Sequence, residues 1–180
     1  MALLYLKGKQ MNEDLKFKIG GIFTYEHIRD GKVIDTWKEP NIVVNEGLNY
    51  ILDAAFSAGS PLTSWYIALF KNNYTPIAAN VAATFFGAGV ANEATTEYSE
   101  ATRVAWVEAG PSSQVISNSA SPAVFTFASA ISIYGAALVS SSAKAATSGK
   151  LAAASKFASV RVMQIADVLN VTYTLTITSV

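Results

Sequence analysis

The chain has 180 residues, no cysteine, and 13 basic against 13 acidic side chains, which gives a formal net charge of zero. The absence of cysteine excludes a disulfide framework and a cysteine-based zinc site. The balanced charges lack the basic excess that is typical of nucleic-acid-binding proteins. Charged residues make up 14% of the chain, below the usual ~25%, and so few charges favour association with other subunits. The alternative, a monomer with a surface rich in serine and threonine, stays open.

An N-terminal arm of residues 1–14 is predicted to precede a single domain of residues 15–180. The arm mixes apolar and charged side chains without a clean period, and we expect Leu3, Leu4 and Tyr5 to contact a neighbouring subunit. A frayed terminus is the competing interpretation. The apolar run of the arm is too short for a signal peptide, and the apolar segment 123–139 is too short for a membrane span. We therefore expect no contact with a membrane.

The segment that follows the arm predicts a β-hairpin. Gly20 and Gly21 lie between apolar residues and indicate a strand with a bulge. Two β-prone runs, residues 22–28 and 32–38, then flank an Asp-Gly pair at positions 30 and 31. This pair favours a tight turn because both central residues need positive φ.

A single helix is predicted near residues 46–57. Asn45 is a suitable N-cap for it, and Glu46 would place a negative charge near the positive end of the helix dipole. Apolar residues then follow the spacing of one buried helical face. These residues are Leu48, Ile51, Leu52, Ala55 and Phe56.

The rest of the chain predicts strands separated by loops at residues 71–92 and 140–150. The last strand is the clearest, because Val171, Tyr173, Leu175 and Ile177 alternate with threonines and so share one face. The other predicted strands are residues 65–70, 103–107, 123–127, 131–139 and 157–162, and Val115-Ile116 is a candidate start of a further strand. The pattern indicates a mainly β fold with one short helix, either a sandwich or a jelly roll.

Candidate catalytic residues are few. His27 is the one histidine and has no metal-ligand partner at a useful spacing, and no Gly-x-Ser-x-Gly elbow surrounds any serine. Glu93, Glu97 and Glu100 cluster in sequence, and we interpret them as a solvated loop, with a calcium site or a glycosidase pair as lesser alternatives. The sequence therefore predicts a protein that is not an enzyme and that has no catalytic residues, cofactor or metal.

Several segments, taken in order, resemble a known group of proteins. They include GGIFTYEHIRDGKVIDTWKEPNIVVNEGLNYILD, WYIALFKNN, SNSASPAVFTF and DVLNVTYTLTI. The chain resembles, over residues 18–178, the cement or decoration proteins that stabilise the heads of tailed bacteriophages. The motif N-x-VVN-x-GL at residues 41–48 and the run LNVTYTL at residues 169–175 carry the resemblance most strongly.

The resemblance implies a jelly-roll-like antiparallel β-sandwich. It also implies a virion protein that is made in the cytoplasm of a bacterial host and binds the outer surface of the capsid. It implies self-association into dimers or trimers and the clamping of neighbouring major capsid subunits. The arm and the hairpin at residues 22–38 are the expected contact elements, with Trp37 as a further apolar anchor. A tail, neck or fibre-associated virion protein remains an alternative. A carbohydrate-binding adhesion sandwich is another, for which Trp65, Tyr66 and Tyr98 are the candidate sugar-stacking residues.

Overall fold

A computed structural model describes residues 17–57 and 59–179 of the chain. The predicted arm, including Leu3, Leu4 and Tyr5, lies outside the described residues. The described part contains ten strands and two helices. The strands are β1 (Phe17–Arg29), β2 (Lys32–Pro40), β3 (Ile42–Val43), β4 (Trp65–Phe70), β5 (Val104–Trp106), β6 (Val115–Ser117), β7 (Ala123–Thr126), β8 (Ile131–Val139), β9 (Leu151–Met163) and β10 (Val168–Ser179); the helices are α1 (Asn45–Phe56) and α2 (Ala82–Phe85).

The strands form two antiparallel sheets that pack as a sandwich. The first sheet has the order β2-β1-β10-β6, with β7 also paired to β10, and the second has the order β3-β9-β8-β4-β5. The predicted mainly β sandwich is therefore confirmed. The finer jelly-roll topology stays a prediction, because these strand orders alone do not establish it.

Aromatic side chains from both sheets meet in the core. Phe23, Tyr25 and Trp37 of the first sheet lie in one buried cluster with Ile133 and Phe157 of the second. The alternation of β10 places Val171 and Tyr173 in this cluster, while Ile177 at the end of the strand is partly exposed. The period-two prediction is thus confirmed for the middle of β10, whereas Ile177 at the end of the strand is not buried by any of the described residues.

The second sheet is covered on both faces. A separate buried cluster on its other face joins Phe70 and Val139 to Phe85 and Phe86 of the region around α2. This double covering explains why β4 has a continuous apolar sequence rather than an alternating one. The short helix α2 was not predicted, because its four residues are too few to show a helical period.

The hairpin prediction is confirmed in its strands and turn, but the predicted bulge is wrong. Asp30 and Gly31 adopt φ values of 51° and 72° between β1 and β2, as a tight hairpin turn requires. Gly20 and Gly21 instead pair regularly with β10, and the register irregularity of β1 against β2 lies between His27 and Ile28. The glycine pair therefore does not mark a bulge. Gly21 is needed for a different reason, because a Cβ at this position would collide with the Tyr173 side chain.

Helix α1 exists where it was predicted, but its cap and its packing differ from the prediction. It begins at Asn45, and no side chain caps its first turn. The Glu46 carboxylate instead accepts hydrogen bonds of 2.8 Å from the backbone N–H groups of Ala82 and Leu151. The one buried residue of α1 is Gly47, which lies against the backbone of Ala152 in β9. The helix therefore docks through its first turn, and its predicted apolar face is largely uncovered.

No helix in the described part is both long and apolar enough to cross a membrane.

Candidate interaction surfaces

One end of the sandwich is locked by a buried carboxylate. Asp167, in the turn between β9 and β10, is 1% exposed through its side chain. It accepts hydrogen bonds from Arg29 Nε at 2.8 Å and Arg29 Nη2 at 2.6 Å, and from the Gln164 N–H at 2.7 Å. His27 Nε2 lies 2.7 Å from the same carboxylate. These contacts join the β1–β2 hairpin to the β9–β10 turn.

The electrostatics of Asp167 follow from those contacts. The hydrogen bond from Arg29 holds the pKa of Asp167 well below its usual range, with support from the Gln164 N–H and His27, and outweighs the opposing effect of burial. The same pairing raises the pKa of the Arg29 guanidinium. The carboxylate is therefore ionised throughout the physiological pH range, and we assign it a structural role because all its partners hold elements together.

Four apolar side chains are exposed at this locked end. Val33, Ile34, Val162 and Ile165 are each at least half exposed, and we call this group the hairpin end. A 2.6 Å bond from Arg161 Nη1 to Asp35 Oδ2 ties β9 to β2 beside it. Exposed aliphatic side chains on a fixed backbone are typical of a contact surface that needs little ordering on binding.

Trp37 lies in the core rather than on the surface. Its side chain stacks on Tyr25 at a centroid distance of 4.8 Å and meets the edge of Phe157 at 5.4 Å. The Arg161 guanidinium lies over the Trp37 ring, with its Cζ 4.3 Å from the ring centroid. With 9% of the residue exposed, Trp37 does not present an apolar anchor to a partner in this conformation. It supports the hairpin from within.

The acidic cluster is not the solvated loop that we predicted. Glu93 is buried and forms a bidentate ion pair with Arg103, with two distances of 2.8 Å. Glu97 bonds Lys71 Nζ at 2.6 Å, and Glu100 accepts from the Thr126 N–H. Burial raises the pKa of Glu97, but the hydrogen bonds from Lys71 and from the Thr95 N–H outweigh it and lower the pKa overall.

Each of the three carboxylates has a different partner, and each contact stabilises the fold. Within residues 17–57 and 59–179, no group of three or more histidine, aspartate or glutamate side chains is arranged to hold a metal ion. Of the candidate sugar-stacking residues, Tyr98 is buried against Phe125 and under Lys144. Trp65 and Tyr66 are partly buried in β4. The aromatic platform that a carbohydrate site needs is therefore not assembled by these three residues.

A second apolar surface lies at the opposite end of β1. An open groove of about 1120 Å³ lies here between α1, β3 and the ends of β1 and β10. We call it the apolar groove. Side chains that line it include Phe17, Ile19, Leu48, Leu52, Phe56 and Ile177. The helical spacing correctly grouped Leu48, Leu52 and Phe56 on one face, but the face is open, and Phe56 is 84% exposed.

No protein-family model matches the chain, and a search of curated proteins finds no match.

Proposed function

We propose that the chain is a structural protein of a tailed-bacteriophage virion that binds the outer surface of the capsid and clamps neighbouring major capsid subunits. The observation that carries the proposal is the hairpin end: four exposed aliphatic side chains on a backbone fixed by the buried Asp167 contacts. The resemblance of the sequence to head-stabilising proteins supports the same function. Low charge and zero net charge also fit a protein that works inside an assembly.

Stabilisation of a capsid needs no covalent chemistry. A protein that binds the expanded lattice, and not its precursor, shifts the equilibrium toward the expanded state by mass action. Self-association into dimers or trimers would let one assembly contact several capsid subunits, and multivalency then strengthens the attachment. The fixed backbone of the hairpin end keeps the ordering entropy of binding small.

The test is a binding assay on expanded heads assembled from the major capsid protein of the same virus, without this chain. Ile34→Asp and Ile165→Asp each place a charge in the hairpin end. We expect each to lower occupancy by about tenfold or more, because burying an isoleucine contributes about 1.5–3 kcal/mol. Ile77→Asp is the matched control, since Ile77 is similarly exposed and lies in the loop before α2.

Equal occupancy of all three variants and the unsubstituted chain would contradict the proposed role of the hairpin end. Failure of the unsubstituted chain to bind any capsid form would contradict the proposed function itself. Circular dichroism of each variant checks that the sandwich is intact, so that a loss of binding reports on the surface.

A further inference from the structure

We propose that the apolar groove is the docking site for the apolar stretch of residues 3–6 of the same chain, so that the N-terminal segment folds back over α1. This inference concerns the isolated chain and goes beyond the proposed function. It is an alternative to the expectation that these residues contact a neighbouring subunit. Three observations carry it: the openness of the groove, the point at which the described chain begins, and the composition of the preceding segment.

The groove is open, and most of the surface that lines it is apolar. Phe56, Phe17 and Leu52 line it and are all more than half exposed. These side chains come from α1 and β1, which the backbone brings to face each other. Among the described residues nothing covers them. Large exposed apolar surfaces rimmed by polar groups mark places where another segment packs.

The described chain begins inside this groove. Phe17 is the first residue of β1 and one of the side chains that line the groove. β2 pairs with β1 only from Ile22 onward, so the β1 edge at residues 17–20 has no strand beside it on that side within the described part. An extended segment returning from Phe17 can therefore lie along a free strand edge while its side chains enter the groove.

The segment before Phe17 has the composition that such a return needs. Residues 3–6 are Leu, Leu, Tyr and Leu, and residues 7–16 carry five charges and a glycine. Ten residues span up to roughly 35 Å when extended, whereas the 12-residue α1 is about 18 Å long. The linker is long enough to reverse direction and to carry the apolar stretch across the helix.

The covalent link between residues 3–6 and the domain favours docking on the groove of the same chain over docking on a second copy. A segment that is joined to the domain by only ten residues has an effective concentration in the millimolar range. A second copy in dilute solution is present at micromolar concentration. The intramolecular contact is therefore preferred unless the linker cannot make the turn, and its length permits the turn.

The absence of cysteine from the chain allows a direct test by disulfide trapping. Leu3→Cys, Leu4→Cys and Leu6→Cys are each combined with Leu52→Cys in the full chain and oxidised mildly at micromolar concentration. We expect at least one pair to give a monomer with an internal disulfide, at a yield that does not depend on protein concentration. The matched controls carry Val124→Cys in place of Leu52→Cys, because Val124 is also exposed but lies in β7.

Three outcomes would overturn the proposal. These are internal disulfide yields no higher than in the controls, disulfide-linked dimers as the main product, and a yield that rises with concentration; the last two would assign the groove to a second copy. A second readout avoids cysteine chemistry. Replacing Leu3, Leu4 and Leu6 together by serine in the full chain should raise the fluorescence of an apolar dye several-fold, and adding Phe56→Ser should remove that increase. An unchanged signal would contradict the proposal.

Neither readout uses a capsid. The proposed function and this inference can therefore fail independently of each other.

Discussion

Replacement of Arg103 by methionine tests the buried ion pair between Arg103 and Glu93, which lies where we predicted a solvated loop. The side chains of Arg103 and Glu93 are each 1% exposed. The guanidinium also donates to the Ser141 carbonyl at 3.0 Å and lies 4.6 Å from the centre of the Phe86 ring. Methionine keeps much of the side-chain volume but removes the charge and every one of these hydrogen bonds.

The expected loss of unfolding free energy for Arg103→Met is about 3–5 kcal/mol, because the substitution strands a buried carboxylate. Glu93 would retain one hydrogen bond, from the Ala145 N–H at 2.8 Å. Adding Glu93→Gln removes the stranded charge, so the double variant should be more stable than Arg103→Met alone. We expect it to lie about 1–3 kcal/mol below the unsubstituted chain, since some backbone carbonyls lose their donors.

Urea unfolding followed by circular dichroism at 25 °C measures all four members of this double-mutant cycle. Lys71→Met is a suitable control, because its ion pair with Glu97 is partly exposed and should contribute about 1 kcal/mol or less. A loss below about 1 kcal/mol for Arg103→Met would refute the account. A double variant no more stable than Arg103→Met would refute the argument that the stranded charge causes the loss.

Two further substitutions test the locked end and the close packing of the second sheet. Asp167→Asn should lower the unfolding free energy by about 2–4 kcal/mol at pH 7, less than for a fully buried pair because Arg29 is partly exposed. The folded-state pKa of Asp167 is depressed, so the ionised carboxylate stabilises the fold fully above its unfolded-state pKa of about 3.9, and this stabilisation is lost as the pH falls further. Urea titrations should therefore show a smaller difference in unfolding free energy between Asp167→Asn and the unsubstituted chain at pH 2.5 than at pH 7. Gly135→Ala should destabilise by about 2 kcal/mol or more in thermal unfolding, because a Cβ there would collide with the Phe70 ring and the Ser155 carbonyl.

The controls for these substitutions are available in the same chain. Gly20→Ala places a methyl group where no atom lies within 4 Å, and it should change stability by less than about 1 kcal/mol. A constant difference between Asp167→Asn and the unsubstituted chain from pH 7 to pH 2.5 would contradict the assignment of the ionised carboxylate as the stabilising form. Equal effects of the two alanine substitutions would contradict the close contact at Gly135.

Local signals were sufficient for the hairpin and for β10. The Asp30-Gly31 turn depends on the φ preferences of two adjacent residues, and the alternation of β10 depends on burial of one strand face, so both are visible over a few positions. The first half of β9 was missed because Leu151 is followed by three alanines, which have low β-propensity. Alanine is accommodated there because the backbone of α1 at Gly47 approaches Ala152 closely.

The surfaces were harder to predict because they depend on contacts that are distant in sequence. His27 and Asp167 are 140 positions apart, and nothing near either residue signals the other. The apolar spacing of α1 identifies the face with Leu52 and Phe56, but periodicity cannot tell whether a partner covers that face. The burial of Trp37 likewise follows from the second sheet packing over the hairpin, which the hairpin sequence alone does not specify.

A cryo-EM reconstruction of the intact virion tests the claim that the chain binds the capsid, because it locates the chain and counts its copies. We expect hundreds of copies on the outside of the expanded head, with the hairpin end against the major capsid protein. Absence of the chain from purified particles would contradict the claim, as would a few copies confined to the tail or neck.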